Sequence, residues 1–181
     1  PIFNHITAQG YYGHLDNLDW DRPRKLGVSQ AINFGTDPSI VVAAQHSRSQ
    51  QVAELPSVEE WVCWQVGILQ QNTDRPIRVR PHPRSPLNVS MLPYNVIVER
   101  PEHVANTYDN FNLRFDCHAI VNYNSGPGIQ AAIAGVRPIV DMSSLAYPVS
   151  IDYNDIEQPY TIDRDLWLTQ ICHTEIGRAH V

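Results

Sequence analysis

Short apolar runs alternate along the chain with segments of helical periodicity. Residues 39–44 (SIVVAA) form a brief β-branched run that is typical of a strand buried on both faces. Downstream, Ser57 stands three residues before Glu60, which is the capping-box pattern, and apolar residues then recur at helical spacing. The pattern predicts a strand over 39–44 and a helix over about 58–71.

The same alternation continues to the end of the chain. It predicts strands at 75–80 (RPIRVR), 94–100 (YNVIVER), 118–124 (HAIVNYN) and 137–141 (RPIVD). It also predicts helices at 128–134, closed by Gly135, and at 163–172, and a weak helix or turn at 103–111. Such alternation favours right-handed crossovers, so we expect an α/β, Rossmann-like, doubly wound parallel sheet. Ligands of such sheets bind beyond the carboxyl ends of the strands.

Composition narrows the class of protein. The 181 residues are 43% hydrophobic and 18% charged, with a formal net charge of −6, as in an ordinary globular domain. No apolar run is long enough to cross a bilayer and the first residues lack signal-peptide order, so we expect a cytoplasmic protein with no membrane partner. Cys63, Cys117 and Cys172 are widely spaced, which favours reduced, interior thiols over a zinc site.

One basic segment stands out in this acidic chain. Residues 79–88 read VRPHPRSPLN, with Arg80, His82 and Arg84 at every second position and prolines between them. Prolines favour extended backbone, in which alternate side chains share one face, so the segment predicts a rigid row of donors for an anion. The alternative is a solvated loop that follows an edge strand.

Two further motifs follow predicted strands and should reach the same edge of the sheet. After the strand at 39–44, Gln45, His46 and Arg48 (QHSRS) are placed to contact a donor or acceptor substrate, or belong to a polar loop that leads to the Ser57 cap. After the strand at 118–124 comes NSGPG, residues 124–128, at the start of a helix.

The NSGPG turn carries the most specific signal. Asn124, Ser125, Gly126 and Gly128 would set backbone N–H groups and the helix dipole toward a phosphate, with glycines that allow close approach. The alternative is an ordinary strand-to-helix turn whose glycines serve only the turn. The motif matches neither the P-loop nor the dinucleotide fingerprint, which favours a sugar nucleotide as ligand.

RPHPR, followed by AIVNYNSGPGIQAAIAGVRPIVD, resembles the donor-binding half of GT-B glycosyltransferases over about residues 40–149. The resemblance is strongest to the His-Pro-motif capsular-polysaccharide and sialyltransferase-like group and to related tailed-phage proteins. It implies that His82, with Arg80, acts on the donor phosphate and that Arg84, Ser125 and Gly126 assist. Gln130 stands where related enzymes often have a glutamate that binds the ribose.

The resemblance implies a metal-independent glycosyltransferase that needs no cofactor beyond its nucleotide-sugar co-substrate. The acceptor would be a hydroxyl group of a glycan or, for a phage enzyme in the host cytoplasm, of hydroxymethylated DNA bases. The alternatives are a GT-B-like sugar-nucleotide epimerase or polyol-phosphate transferase, and a non-catalytic Rossmann-like binding module. An epimerase needs several carboxylates around the sugar, and the sequence places none beside NSGPG.

The chain ends suggest a division into three parts. We expect 1–38 to be a partial acceptor-side or linker segment and 39–175 to be the nucleotide-sugar-binding domain, with a partner domain missing. Residues 176–181 are expected to be a non-native tail, because EIGRAHV is what a common sequencing adapter encodes.

In the first part, Asp16, Asp19 and Asp21 could supply a base for the acceptor, or form a solvated turn with helix caps around Trp20. Ser143 and Ser144 are further candidates for nucleotide contact.

Overall fold

A computed structural model of the chain describes residues 18–30, 36–49, 52–53, 55–100, 102 and 115–173. The described part contains a five-stranded, all-parallel sheet with the strand order β3-β2-β1-β4-β5. The strands are β1 (Ile40–Ala43), β2 (Ile77–Arg80), β3 (Ile97–Val98), β4 (Ala119–Asn122) and β5 (Arg137–Val140). The predicted α/β, Rossmann-like sheet is confirmed, while the predicted element at 103–111 lies outside the described residues.

Four α-helices accompany these strands in the described residues: α1 (Arg22–Lys25), α2 (Val58–Asn72), α3 (Gly126–Ala134) and α4 (Asp165–His173). Single 3₁₀ turns lie at Val89–Met91, Tyr147–Val149 and Tyr153–Asp155. No helix among the described residues has both the length and the apolar character required to span a bilayer.

The strand order creates a switch point at the centre of the sheet. From β1 the chain moves outward through β2 and β3, and it then returns to the other side of β1 to form β4 and β5. In the register of the sheet, Ala43 lies beside both Arg80 and Asn122. The loops after β1, β2 and β4 therefore leave the sheet at the same level, which is where open parallel sheets bind ligands.

The central strand is buried on both faces, as its apolar run predicted. Ile40 and Val42 join the core under α2, whereas Val41 and Ala43 join the core under α3. All four are at most 2% exposed. Helices on both faces of β1 thus exclude water from the middle of the sheet and fix the position of its carboxyl end.

Helix ends follow the local sequence signals. The Ser57 hydroxyl accepts a hydrogen bond from the Glu60 N–H at 3.0 Å, so the predicted cap is confirmed. Gly135 closes α3 with a left-handed φ of 84°, a conformation that favours glycine. Helix α3 begins at Gly126, two residues before the predicted start, because Pro127 occupies its first turn, where the missing N–H costs nothing.

The segment before the sheet packs against the last helix. Arg22 donates to the Cys172 carbonyl, and the Asp19 N–H donates to His173 Nε2 at 3.1 Å, which joins α1 to α4. The boundary at residue 38 stays a prediction.

Cys117 and Cys172 are buried free thiols as expected, but Cys63 is only half-buried, because it lies on the outer part of α2 beside the Met91 carbonyl.

Candidate functional site

Two amide side chains join the loops on either side of the switch point. Gln45, just past β1, donates to Asn124 Oδ1 at 3.1 Å, and the Asn124 N–H donates back to Gln45 Oε1 at 3.4 Å. Asn124 also donates to Ser143 Oγ at 3.0 Å, which extends the network to the loop after β5. The structure thus brings the predicted residues Gln45 and Asn124 together, and they hold the loops in fixed positions.

Asn122, the last residue of β4, is a residue that sequence reasoning missed. It is 1% exposed, and its Nδ2 donates to the Ala43 carbonyl at 2.9 Å and to Ser125 Oγ at 3.0 Å. Its Oδ1 accepts from the Ser125 N–H at 2.9 Å. A buried asparagine at the end of an otherwise apolar strand is the available signal, because a buried amide must find partners. Asn122 shapes the turn and ties it to β1.

The turn into α3 presents fewer donors than the sequence predicted. Ser125 is the N-cap residue, but its hydroxyl bonds Asn122 and makes no capping bond to the helix. Pro127 has no N–H, and the N–H of Gly128 bonds the Ser125 carbonyl at 3.3 Å. The Gly126 N–H and the helix dipole are therefore the features of this turn that best suit an anion.

The two glycines of the turn serve different needs. A Cβ at position 128 would lie 2.7 Å from Val140 Cγ1, so Gly128 allows α3 to pack closely on β5. A Cβ at position 126 would meet nothing within 4 Å. Packing of the helix on the sheet thus requires glycine at position 128 but not at position 126.

The row of donors predicted for residues 80–84 does not form, and this is a correction. Arg80 ends β2 with its side chain 9% exposed, and it pairs with Glu99 at 2.7 Å. The chain then turns, because the Ser85 N–H donates to the His82 carbonyl at 2.9 Å. The prolines thus keep the backbone extended only up to His82. Arg84 lies in the exposed part of this turn.

His82 meets His46 from the loop after β1. The two ring centroids lie 5.0 Å apart in an edge-to-face arrangement with an interplanar angle of 69°. The same loops are joined by Ser85, whose hydroxyl donates to Ser47 Oγ at 2.9 Å and accepts from the Ser47 N–H at 3.2 Å. His46 from the QHSRS motif and His82 from the RPHPR motif, both predicted site residues, therefore lie in contact at the carboxyl edge of the sheet.

These loops contain the same four-residue pattern, His-X-Arg-Ser, which sequence reasoning overlooked. We call residues 46–49 (HSRS) and 82–85 (HPRS) the twin turns. In each turn the serine N–H donates to the histidine carbonyl at 2.9 Å. In each, histidine Nδ1 accepts from the arginine N–H, at 3.0 Å for Arg48 and 3.2 Å for Arg84. Equal spacing in the sequence was the signal that could have revealed them.

A cavity of about 370 Å³ opens beyond β4 and β5. Its lining includes Trp61 and Tyr123, whose rings contact edge to face, together with Gln65, Asp141 and Tyr153. Burial raises the pKa of Tyr153 to about 12, so its hydroxyl stays protonated, and it donates to Gln65. The cavity offers aromatic faces beside polar groups, which is typical of small-molecule sites.

Asp141 corrects an expectation from the sequence. It follows β5, its N–H donates to the Tyr123 carbonyl at 2.9 Å, and its carboxylate accepts from Ser143 Oγ at 2.7 Å. Since Ser143 also bonds Asn124, a carboxylate does stand beside the NSGPG turn. An aspartate as the last residue of the predicted strand at 137–141 was the missed signal.

The other predicted residues lie in various places. Gln130 is half-buried in the second turn of α3, and Ser144 is fully buried. Asp19 and Asp21 pair with Lys25 at 2.7 Å and Arg24 at 2.6 Å, and these hydrogen bonds lower the pKa of both carboxyls. This arrangement agrees with the solvated-turn alternative, and Asp16 lies outside the described residues.

Within the described ranges, no three His, Cys, Asp or Glu side chains cluster so that they could hold a metal ion. Comparison with protein-family models found no match, and a search of curated proteins found no significant match.

Proposed function

We propose that this chain binds a nucleotide sugar and forms the donor-binding half of a metal-independent GT-B glycosyltransferase. One observation carries the proposal. The twin turns, the α3 N-terminus and the cavity of about 370 Å³ lined by Trp61 and Tyr123 lie together at the switch point of the sheet. The bonds from Gln45 through Asn124 and Ser143 to Asp141 connect these features. A nucleotide sugar has phosphates, a sugar and a base, which match a basic edge beside an aromatic and polar cavity.

Charge supports the placement of the phosphates. Glycosyl transfer builds negative charge on the departing phosphate, and cations held in place before the reaction stabilise that charge most. Arg48 and Arg84 are exposed at the twin turns, and the half-buried rings of His46 and His82 contact each other. We assign phosphate binding to this group, with the Gly126 N–H at the α3 dipole as a further donor.

Arg80 receives a different role in this proposal. Its side chain pairs with Glu99 beside β2, so it positions the strand end from which His82 follows. His82 keeps the role in phosphate stabilisation that the family resemblance implies.

The cavity is assigned to the sugar or the base. Its volume of about 370 Å³ lies in the lower range of ligand sites. Trp61 and Tyr123 offer apolar ring surface, and Asp141 and Gln65 can bond hydroxyl groups. A single carboxylate in this lining favours transfer over epimerisation, which needs several. A hydroxyl of a glycan or of a modified DNA base is the proposed acceptor, reached with a partner domain.

A thermal-shift screen against CMP, UDP, GDP, ADP and dTDP tests the proposal, with His82→Ala and the remote Arg24→Gln as matched variants. We expect one nucleotide to raise the Tm of the wild type and of Arg24→Gln, and to raise that of His82→Ala much less. Incubation with the corresponding labelled sugar nucleotide and product analysis then separate transfer from epimerisation or polyol-phosphate transfer. If no nucleotide shifts the Tm of the wild type, the donor-site proposal fails and a non-catalytic module becomes the better description.

A further inference from the structure

We infer that the twin turns form one site for two linked phosphate groups, so that its ligand class is a diphosphate. The identification of this diphosphate with that of a sugar donor rests on the proposed function. The site itself rests on the geometry of residues 46–49 and 82–85.

The twin turns are two copies of one structural unit, set side by side. The turns follow the neighbouring strands β1 and β2, which in a sheet lie about 4.8 Å apart, and the His46 and His82 rings meet with 5.0 Å between their centroids. Each unit supplies one imidazole and one guanidinium. Two like units at this spacing suit two like anionic groups joined by a short bridge.

The hydrogen bonds within each unit orient the imidazoles. Because Nδ1 of His46 accepts from the Arg48 N–H, the proton of the neutral ring lies on Nε2, and the same holds for His82 and Arg84. A neutral imidazole in this state donates through Nε2. Each turn thus combines an imidazole, oriented by the arginine N–H, with an exposed guanidinium.

The serines hold the two units at a constant separation. Ser85 bonds both the backbone and the hydroxyl of Ser47, so two hydrogen bonds link the turns directly. Because this spacing is set before any ligand arrives, binding a second linked phosphate costs little additional entropy. A monophosphate would engage only half of these donors.

Calorimetric titration of the full chain with inorganic phosphate and with pyrophosphate, at one ionic strength, tests the inference. We expect pyrophosphate to bind at least about tenfold more tightly, since the second turn adds hydrogen bonds to a charged group. The variants His46→Asn and His82→Asn keep an acceptor for the arginine N–H but remove the Nε2 donor. Each should weaken pyrophosphate binding by about tenfold or more and leave phosphate binding less affected.

Two matched variants make the result specific. His46→Gln restores a donor near the position of Nε2 and should recover part of the affinity that His46→Asn loses. Arg24→Gln removes an exposed guanidinium on α1 and should leave pyrophosphate affinity unchanged. Far-ultraviolet circular dichroism and Tm values identify any variant that is misfolded. If one of His46→Asn and His46→Gln does not fold, the other still tests the role of His46.

The outcomes separate this inference from the proposed function. Equal affinities for phosphate and pyrophosphate, or a loss with His82→Asn but none with His46→Asn, would overturn the diphosphate site even if a nucleotide binds. Tight, His46-dependent binding of pyrophosphate with no binding of any nucleoside diphosphate would support the site and overturn the glycosyltransferase proposal.

Discussion

Arg80 and Arg84 are four residues apart, yet they are used in opposite ways. Arg80 is the last residue of β2, and its side chain lies against the neighbouring strand, where it pairs with Glu99 at 2.7 Å. Arg78 reaches the same carboxylate at 2.8 Å. Arg84 lies beyond the strand end in an exposed turn, and Arg48 lies in a turn with the same His-X-Arg-Ser pattern. Arg80, within β2, therefore has a structural role, and Arg84, past the end of β2, is a candidate ligand-binding residue.

Burial explains this difference. Within β2, a guanidinium is enclosed by β3 and by the segment before β4, so it needs a partner that offsets the loss of water. Glu99 supplies that partner for two arginines at once. Past the strand end, Arg84 lies in an exposed turn, where a guanidinium has no need of a buried counter-charge. Two arginines four positions apart in one segment therefore do not need to share a function.

Removal of the shared carboxylate should have the largest effect on stability. Glu99→Gln removes the carboxylate that pairs with both Arg80 and Arg78, although Arg78 keeps a second ion pair with Asp37 at 3.1 Å, and we expect the free energy of unfolding to fall by roughly 2 to 4 kcal/mol. Urea unfolding at neutral pH measures this loss. Glu60→Gln, an exposed substitution in the first turn of α2, is the matched control and should cost under about 0.5 kcal/mol. Similar losses in the two variants would break the comparison.

The two glycines of the turn into α3 extend the comparison to backbone positions. Gly128→Ala places a Cβ 2.7 Å from Val140 Cγ1 and should destabilise the fold by roughly 1 to 3 kcal/mol. Gly126→Ala meets no atom within 4 Å, so its stability should be unchanged or slightly higher, while nucleotide affinity falls. Urea unfolding and titration with the nucleotide found by screening measure both. A large stability loss in Gly126→Ala would contradict this division of roles.

Arginine substitutions on either side of the strand end test the comparison within one segment. Arg48→Gln and Arg84→Gln should weaken nucleotide binding by about tenfold and change unfolding free energy by less than about 0.5 kcal/mol. Arg80→Gln should mainly lower stability, because it leaves Glu99 with one partner fewer. Titration calorimetry and urea unfolding on the same three variants reveal whether the two effects separate. Equal losses of binding and stability in all three would refute the distinction.

The smallest effect is expected at the other end of β2, where Arg75 pairs with Glu157. Hydrogen bonds from Arg75 and Thr73 lower the pKa of Glu157 to about 2 from the usual 4.5. Because the pKa is lower in the folded state, the pair stabilises above about pH 4.5, and its contribution is lost as the pH falls toward 2. The Glu157 side chain is 45% exposed, so screening limits this contribution to under about 1 kcal/mol.

Unfolding of Glu157→Gln and of the wild type across this pH range checks that expectation. The two stabilities should differ slightly at neutral pH and converge near pH 2. A difference that grows as the pH falls would have the wrong sign for a carboxylate with a lowered pKa.

Local patterns in the sequence were sufficient for the sheet and most helices. The β-branched run of β1 and the Ser57 cap of α2 depend on neighbouring residues, so they could be recognised without knowledge of the fold. The pairing of Arg80 with Glu99 could not be recognised in this way, because the two residues are 19 positions apart in the sequence and come together only when β2 pairs with β3. His46 and His82 were each identified as candidates, but only the parallel pairing of β1 and β2 places their rings together.

Asn122 and Asp141 show a second reason for incomplete prediction. Both lie at strand ends, where they resemble ordinary termination of an apolar run, and their importance comes from partners on other loops. The row of donors failed as a prediction for a related reason. The turn at 82–85 is closed by local bonds that outweigh the extended preference of the residues around the prolines.

Two cavities away from the twin turns provide alternative binding locations. One of about 520 Å³ lies between α1 and α4 and is lined by Trp20 and Leu168 among others, and one of about 410 Å³ lies beside Trp64 on α2. A ligand at either would place function far from the switch point of the sheet.

Backbone amide NMR of the labelled chain, titrated with the nucleotide that gives the largest thermal shift, tests most directly whether the carboxyl edge of the sheet is the binding site. We predict that the largest shift changes fall within residues 45–49, 82–85 and 122–128, with smaller changes around Asp141. Changes concentrated around α1 and α4, or along the exposed side of α2 near Trp64, would contradict this location of the site.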